Sequence, residues 1–489
     1  MPETNTSEHD LSELTTPEVE AILDAEDAAL DERGSLTSDF VYQVRERIGE
    51  DDADGVLDLV EDLKPADVAD LIEQLGEEDT KSFIRLVGAE LPAGALAELE
   101  DGARDTVIDA LTTEQLAEAV TELDTDEAAF VLEDMTQEDR DEVLAEMPIA
   151  DRLAVRAALE YGEETAGRIM QRDVFAAPGY WNVGQIIDRL RSAERLPETF
   201  YDVYVVDPTY KIIGLVPLSR FVKAKRDTKI ENLIEDEPVI IDAGMDQEEV
   251  AYLFEKYNLI SAPVIDEGRR LVGMITVDDV VEIVHSEADE DMLALAGIND
   301  DNSINVPIRK VARSRFVWLL VNLGTAILAS VVIGIFDGTI EQMVALAILM
   351  PIVASMGGNA GTQTMTVAVR NLSTRTLTAA TAVRAVYKET AVSALNGVAF
   401  AVLMGAAAAL WYLLLAGQSA ADAWALGGVL AAAMIINMLC AGLAGILIPL
   451  ALDRAGQDPA VSSAVFVTTV TDIVGFSAFL GLAAVFLVG

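Results

Sequence analysis

The hydrophobic pattern divides the chain near residue 316 into an amphipathic half and an apolar half. Upstream, apolar residues recur at helical spacing in short units such as DGVLDLVEDL and TTEQLAEAVTEL, and Pro or Thr/Asp pairs open several of these units as helix caps do. Downstream, apolar stretches long enough to cross roughly 30 Å of hydrocarbon cover about 316–336, 343–369, 387–415, 426–450 and 461–488. The pattern therefore predicts a soluble half followed by a membrane domain of five helices.

The soluble half contains two kinds of pattern. Residues 35–167 read as helical units alone, which predicts an all-α superhelical N-domain of stacked antiparallel helices. Residues 168–284 alternate strands with helices, and FYDVYVVDPTYKIIGLVPLSRFV and SAPVIDEGRRLVGMITVDDVVEIV follow the same strand-turn-strand-helix plan. We therefore predict a multidomain membrane protein with a disordered acidic tail at 1–34, the superhelical N-domain at 35–167, an α/β tandem pair at 168–284, a connecting helix at 285–315 and a five-helix transmembrane domain at 316–489.

The charge of the chain narrows its possible functions. The formal net charge is −50, and nearly all of the 83 acidic residues lie upstream of Val317. Such a charge excludes nucleic-acid binding, because phosphate would be repelled. Few lysines among many acids are typical of proteins from salt-loving microbes, whose cytoplasm screens repulsion, and a dedicated acidic function is the alternative. Cys440 stands alone and there are two histidines, so thiolate or histidine metal chemistry is not expected.

Basic residues near the spans set the predicted orientation. They precede the first span, join the second to the third and the fourth to the fifth, and are missing from the other two loops. By the positive-inside rule, the soluble half and the N-terminus are cytoplasmic and the C-terminus is outside. The N-terminus has neither a basic region nor an apolar region of a signal peptide. We expect a multi-pass protein of the cell (inner) membrane.

A polar cluster interrupts the second apolar stretch. The segment 350–370 reads MPIVASMGGNAGTQTMTVAVR and places glycines, amides and hydroxyls at membrane depth. Unpaired backbone groups are very costly in hydrocarbon, so they survive only when packed in protein or lining water. We predict that the glycines unwind the helix here and turn backbone oxygens toward water, as in a transport site.

Asp472 is the second polar feature at membrane depth. It lies in FVTTVTDIVGFSAFL, and no Lys or Arg lies inside the predicted spans to neutralise it, except Lys388 at the very start of the third. A passing cation is therefore its expected partner. Hard divalent cations prefer oxygen ligands, which leaves magnesium, calcium, manganese and cobalt open. Asn437 and Asn396, also within spans, are interpreted as helix-packing residues.

Specific motifs extend these inferences. Gly273-Met274-Ile275-Thr276-Val277-Asp278-Asp279-Val280 resembles the most recognisable motif of CBS domains. Pro351 with Gly357-Gly358-Asn359-Ala360-Gly361-Thr362-Gln363, and Asp458-Pro459-Ala460 followed by Val467-Thr468-Thr469 and Asp472, resemble the MgtE family of magnesium channels and transporters. The likeness runs from about residue 50 to the end. It implies a homodimer that conducts hydrated Mg²⁺ along its axis, with Mg²⁺ as both substrate and regulator. The pore residues that it implies are Asp472, Gly358, Asn359, Ser355 and Thr468.

The resemblance also implies that cytoplasmic Mg²⁺ closes the pore by bridging the soluble domains. The matching sensor positions are Asp126, Asp246, Glu248, Asp279, Glu282, Glu287, Glu290 and Asp291. Asn258 stands where the family can carry an aspartate, and Ala464 lies where relatives have asparagine or proline in the pore's inner mouth. Relatives can bind ATP at the CBS pair, where Asp266 and Asp278 follow strand ends as ribose ligands do.

Two other functions remain as alternatives. One is a transporter of another divalent cation, such as Co²⁺ or Mn²⁺. The other is a membrane-tethered CBS sensor that transports nothing, which needs neither the polar cluster nor Asp472. An enzymatic pump is not expected, because the sequence has no P-loop GxxxxGK[ST].

Overall fold

The computed structural model describes residues 29–31, 33–192, 200–234, 238–298, 306, 308–378, 380–414 and 419–488, except the side chains of Ala89 and Ser462. The predicted tail at 1–34 lies almost entirely outside these residues. The described residues form two compact units: the first comprises the residues up to Val284 together with Val306, and the second comprises 285–298 and the residues from 308 onward. Each unit is described by itself.

Short helices build the N-terminal part of the first unit. Within the described residues, α1 to α10 are Ser38–Gly49, Ala53–Val60, Pro65–Gln74, Glu77–Val87, Gly94–Glu98, Asp101–Ala110, Thr113–Glu122, Thr125–Glu133, Gln137–Glu146 and Ile149–Ala158. Local signals explain their starts: Pro65 is the first residue of α3, and Thr112 and Gln115 form a capping box at α7. Their apolar faces share one core that includes the fully buried Phe83 and Val107. The all-α N-domain is confirmed.

Two sheets of the same design follow. The strands are β1 (Ala176–Pro178), β2 (Asp202–Val206), β3 (Ile212–Pro217), β4 (Ile241–Asp242), β5 (Ser261–Ile265) and β6 (Leu271–Thr276). In both sheets the first strand pairs parallel with the second, which pairs antiparallel with the third. Both antiparallel pairs also carry a register shift at the same place, between Val205 and Val206 and between Val264 and Ile265. The repeated topology confirms the predicted tandem α/β pair.

Helices and polar contacts complete this pair. The helices are α11 (Val183–Ser192), α12 (Leu218–Lys223), α13 (Gln247–Tyr257) and α14 (Val277–Leu295). Ser261 of the second repeat donates a hydrogen bond of 2.6 Å to the buried carboxylate of Asp202 in the first, and its hydroxyl lies 3.1 Å from that of Tyr204. A buried polar bridge therefore joins the two repeats. The predicted connecting helix corresponds to the second half of α14.

The second unit contains the membrane domain. Among the described residues, five helices are long and apolar enough to span a membrane. They are span I (Ile308–Ile335), span II (Ala345–Ser373), span III (Ala382–Leu414), span IV (Ala420–Arg454) and span V (Pro459–Ala483), with a short helix Asp337–Gln342 between the first two. Span IV is the most buried of the five and packs against spans II, III and V. The prediction of five membrane helices is confirmed.

Span II corrects one prediction, because its polar cluster does not break the helix. The segment 345–373 is continuous α-helix with Pro351 inside it. Gly357 and Gly361 lie one turn apart and are buried, and a Cβ on Gly361 would lie 2.5 Å from Cγ1 of Val467 in span V. These glycines therefore allow close helix packing and do not unwind the backbone. A continuous helix pairs its own backbone groups, which costs less in hydrocarbon than exposing them.

Candidate functional site

One face of span II is polar and exposed. Ser355, Asn359, Thr362, Gln363 and Thr366 are all exposed along it. Residues three, four, seven and eight positions apart share a helix face, so these five side chains form a single stripe. We call this stripe the polar face of span II.

The predicted pore residues of span V lie on one side of that helix. Asp472 and Thr468 are half-buried and one turn apart, which places them on the same face. The Thr468 hydroxyl donates to the carbonyls of Ala464 at 2.9 Å and Val465 at 3.1 Å. Its remaining lone pairs can only accept hydrogen bonds. Thr468 and the Asp472 carboxylate thus offer acceptors, which suit a cation that keeps its water shell.

The two predicted pore walls belong to neighbouring helices. Span II packs on span V where Gly361 faces Val467 and Thr471. Gly358 adjoins this contact, and a Cβ built on it would meet no atom within 4 Å. Because span II is unbroken, the Gly358 carbonyl is not released by unwinding. The backbone of Gly358 therefore borders open space beside the polar face.

The amide of Asn437 bonds span IV to span II. The fully buried Asn437 donates from Nδ2 to the carbonyl of Val353 in span II at 2.8 Å. The packing role predicted for Asn437 is therefore confirmed. Asn396 is exposed on span III, and its packing role stays a prediction.

Carboxylates from the N-domain and the second CBS repeat face one another in the first unit. Burial, and then repulsion by Asp279 and Asp124, raise the pKa of Asp126 well above its ordinary value. Burial raises the pKa of Asp279 to about 6, against the effect of two hydrogen bonds that its Oδ2 accepts from Thr276. Within the described residues, Oδ1 of Asp126 is buried without a hydrogen-bond partner. The structure thus brings Asp126 and Asp279 together as like charges.

Two further acids of this cluster escaped the sequence reasoning. Asp124 and Glu127 form the capping box that starts α8, and both interact electrostatically with Asp279. In the run 124–127, Asp-Thr-Asp-Glu, the sequence predicts a sensor role for Asp126 and only a helix cap for Asp124. We call Asp124, Asp126, Glu127 and Asp279 the acidic cluster.

Asp246 and Glu248 lie at the start of α13, and Glu282 lies one turn after Asp279 of the acidic cluster, on α14. Asp246 is exposed at the N-cap of α13, and its Oδ1 accepts a hydrogen bond of 2.9 Å from the backbone N–H of Glu248. Glu282 interacts electrostatically with Glu98 and Arg104 of the N-domain. Asn258 ends α13 in the left-handed conformation, with φ of 51°, which asparagine adopts readily. That departure from the family therefore has a local structural role.

In the second unit, the connecting helix reaches the ends of two spans. Asp291 accepts a hydrogen bond of 2.8 Å from the hydroxyl of Ser373, the last residue of span II. Burial, and then the nearby carboxylate of Asp458, raise the pKa of Asp291, although the Ser373 bond lowers it. Asp458 is the N-cap of span V and was not among the predicted site residues. Glu287 lies one turn before Asp291 on this helix, and Glu290 lines a cavity of about 540 Å³ with Ser314, Trp318 and Val461.

None of these clusters is arranged to bind a metal ion directly through its side chains. Among the residues that the structure describes, no group of three or more His, Cys, Asp or Glu side chains is arranged to hold a metal ion. In the CBS pair, Asp266 accepts a hydrogen bond of 2.8 Å from the backbone of Arg270, and Asp278 is exposed at the start of α14. The nucleotide role of these two residues stays a prediction.

Comparison with known proteins identifies the family. The family model of the divalent cation transporter MgtE matches residues 350–482, the model of the MgtE intracellular N domain matches 63–164, and the CBS domain model matches 230–286. "Magnesium transporter MgtE" of Bacillus subtilis is 28% identical over 429 residues, which cover 88% of this chain and 93% of that protein. The protein of the same name from Thermus thermophilus is 29% identical over 339 residues, covering 69% and 73%.

A solved structure, the cytosolic domain of the Mg²⁺ channel MgtE in complex with ATP, is 28% identical and covers 50% of this chain and 99% of that one, with a TM-score of 0.47. The curated relatives are named as transporters, a class without enzymatic chemistry. The chain therefore belongs to the MgtE family of divalent cation transporters with CBS domains.

Proposed function

We propose that this chain is a magnesium-selective channel or transporter of the cell membrane, which conducts hydrated Mg²⁺ into the cell past Asp472. The observation that carries the proposal is the pairing of two features on neighbouring helices: the polar face of span II and the Asp472–Thr468 face of span V. One carboxylate with hydroxyl and amide oxygens contacts the waters of an ion and leaves its inner shell intact. The names of the curated relatives support Mg²⁺ as the substrate.

The pore is proposed to form in a homodimer. The five exposed polar side chains of span II cannot be stabilised by lipid, which offers no hydrogen bonds. A second copy that places the same face across a water-filled axis satisfies them, and it presents two Asp472 carboxylates to one ion. Ser355, Asn359 and Gly358 would then line the wall beside them. The basic loops support the orientation with the soluble half in the cytoplasm.

Closure by cytoplasmic Mg²⁺ is the second part of the proposal. The acidic cluster joins N-domain and CBS carboxylates whose mutual repulsion a divalent cation would cancel. Asp291 of the connecting helix already contacts the end of span II and lies near Asp458 at the start of span V. Ions bound along this helix, at Glu287, Glu290 and Asp291, would therefore act directly on the ends of both pore helices. ATP at the CBS pair is a further proposed ligand.

Flux measurements with an isosteric variant test the pore. We expect Asp472→Asn to lower Mg²⁺ uptake into proteoliposomes about tenfold or more, since about 1.4 kcal/mol of lost ion stabilisation is a factor of ten. Asp422→Asn is the matched control, because Asp422 is an exposed carboxylate in the first turn of span IV. Equal Mg²⁺ flux in wild type and Asp472→Asn would disprove the pore assignment. Uptake of Co²⁺ or Mn²⁺ in preference to Mg²⁺ would support the alternative substrate, and no divalent flux at all would support the tethered sensor.

A further inference from the structure

Asn437 occupies the point where spans II, IV and V meet. A Cβ built on Gly357 of span II or on Gly475 of span V would have its three nearest atoms in the Asn437 side chain, and the one on Gly475 would lie 2.7 Å from Nδ2. Both glycines are therefore needed for the amide to fit between the two helices. This one side chain contacts both proposed walls of the pore.

The contacts of Asn437 lie beside the residues proposed to meet the ion. The Val353 carbonyl, which accepts the amide hydrogen bond, is two residues before Ser355. Gly357 adjoins Gly358, and Gly475 is three residues after Asp472. A shift of the amide would thus move the polar face of span II relative to the carboxylate of span V.

Packing alone does not account for an asparagine here. Within the described residues, Oδ1 of Asn437 is buried and accepts no hydrogen bond. An unsatisfied buried acceptor costs about 1–3 kcal/mol, whereas an apolar side chain of similar shape avoids that cost. A leucine would fill the same space without it. What leucine cannot supply is the directional bond to Val353.

We propose that Asn437 is a positioning residue that fixes the distance between the ion-facing sides of spans II and V, and so contributes to discrimination among hydrated divalent cations. This inference rests on the proposed pore. Hydrated cations differ in size and in how tightly they hold water, so discrimination requires walls held at a fixed separation. The amide clamps span II to span IV at one point, and the glycine contacts seat span V against the same amide.

The test compares ion preference in the full-length protein. Uptake of Mg²⁺, Ca²⁺ and Mn²⁺ would be measured in proteoliposomes for wild type, Asn437→Leu and Asn396→Leu. We expect Asn437→Leu to change the ratio of Mg²⁺ to Ca²⁺ uptake by about threefold or more, a shift that loss of folded protein alone cannot produce. Asn396→Leu is the matched control, because its amide is exposed on span III, and its ratio should equal that of wild type.

A double-mutant cycle gives a second and independent measurement. Gly475→Ala would force its methyl group against the amide and should alter the same ratio, while Asn437→Ala removes the obstructing atoms. We expect the double variant to have the uptake ratio of Asn437→Ala alone, because the Gly475 methyl group acts only through the amide that Asn437→Ala has already removed. If Asn437→Leu does not fold, this cycle decides the question.

Two outcomes would overturn the inference: a wild-type uptake ratio in folded Asn437→Leu, or additive effects of Asn437→Ala and Gly475→Ala. The proposed pore fails separately, when Asp472→Asn conducts Mg²⁺ as well as wild type does. The two failures are therefore distinguishable.

Discussion

Glu133 shows how the fold sets the properties of a single residue. It ends α8 in the N-domain, and its carboxylate lies 3.8 Å from Nε of the buried Arg168. Arg168 belongs to the segment that leads into the CBS pair, where the neighbouring Gly167 N–H bonds to the Ala243 carbonyl. Burial raises the pKa of Glu133 to about 7, an effect that Arg168 and Arg104 oppose and that Asp134 and Glu163 reinforce.

The pH dependence of stability follows from that shift. The folded pKa of about 7 exceeds the ordinary value of 4.5, so the folded protein binds this proton more tightly than the unfolded chain does. The free energy of unfolding should therefore gain a contribution as pH falls from about 7 toward 4.5. We expect Glu133→Gln to remove that part of the dependence, as measured by the thermal midpoint of the soluble unit in the full chain at about pH 7.5 and pH 5.5.

The exposed Glu138, on the following helix, provides the control. Glu138→Gln should leave the difference between the two pH values as in wild type, because its side chain is in water. A Glu133→Gln protein with the wild-type difference would show that other groups, such as those of the acidic cluster, carry the dependence.

Individual residues also show which parts of the candidate site can be predicted from the sequence. Asp472 could be singled out because a lone carboxylate at membrane depth is rare and costly. Asp124 and Glu127 could not, because acids are frequent throughout this soluble half and a capping box already explains both positions. Asp458 has the same ambiguity, since its side chain caps span V by accepting from the Ala460 N–H at 2.7 Å. When a residue caps its own helix, the sequence gives no sign that it also belongs to a site whose other residues are distant along the chain.

At the scale of elements, the membrane helices pack through small residues. Spans III and IV meet where Gly405 faces Gly427, and a Cβ on Gly405 would lie 2.9 Å from the Gly427 carbonyl oxygen. The same requirement for close packing explains why the glycines of span II do not unwind the helix as their sequence pattern predicts. Glycine in a membrane helix permits either unwinding or close approach, and only the neighbours decide which. For Gly357 and Gly361 those neighbours are Asn437 and Val467, which lie far along the chain.

Two glycines, Gly405 of span III and Gly428 of span IV, allow a paired test of this packing. We expect Gly405→Val to destabilise the membrane unit by about 1–3 kcal/mol, the usual cost of forcing extra methyl groups into a packed interface. Thermal unfolding of the full-length protein in detergent would measure the loss. Gly428→Val is the control, because a Cβ at Gly428 meets nothing within 4 Å. Equal stability of the two variants would mean that the Gly405–Gly427 contact does not hold spans III and IV together.

At the scale of the whole molecule, charge separates the two halves of the chain. The net charge of −50 resides almost entirely in the soluble half, while the spans are apolar. Composition and periodicity were enough to predict this division, the five spans and the tandem repeat, because each depends on patterns within one segment. Composition and periodicity do not predict the contact between α8 and α14 in the acidic cluster, because those helices are more than a hundred residues apart. At high salt the Debye length falls to about 3 Å at 1 M, so only carboxylates in close contact retain strong coupling.

The acidic cluster therefore predicts a Mg²⁺ response that salt alone does not reproduce. Repulsion between Asp126 and Asp279 should keep the N-domain and the CBS pair susceptible to protease at micromolar Mg²⁺ and protected at tens of millimolar. Asp126→Asn removes one of the charges while keeping the size of the side chain, so we expect protection at low Mg²⁺ and a smaller shift on titration. Glu138→Asn, which removes an exposed charge from the same domain, should titrate as wild type does.

Titrations with NaCl at matched ionic strength separate binding from screening. If wild-type cleavage does not respond to Mg²⁺, or if NaCl protects equally well, the cluster is not a magnesium sensor. If Asp126→Asn keeps the full wild-type shift, the sensing ion binds elsewhere.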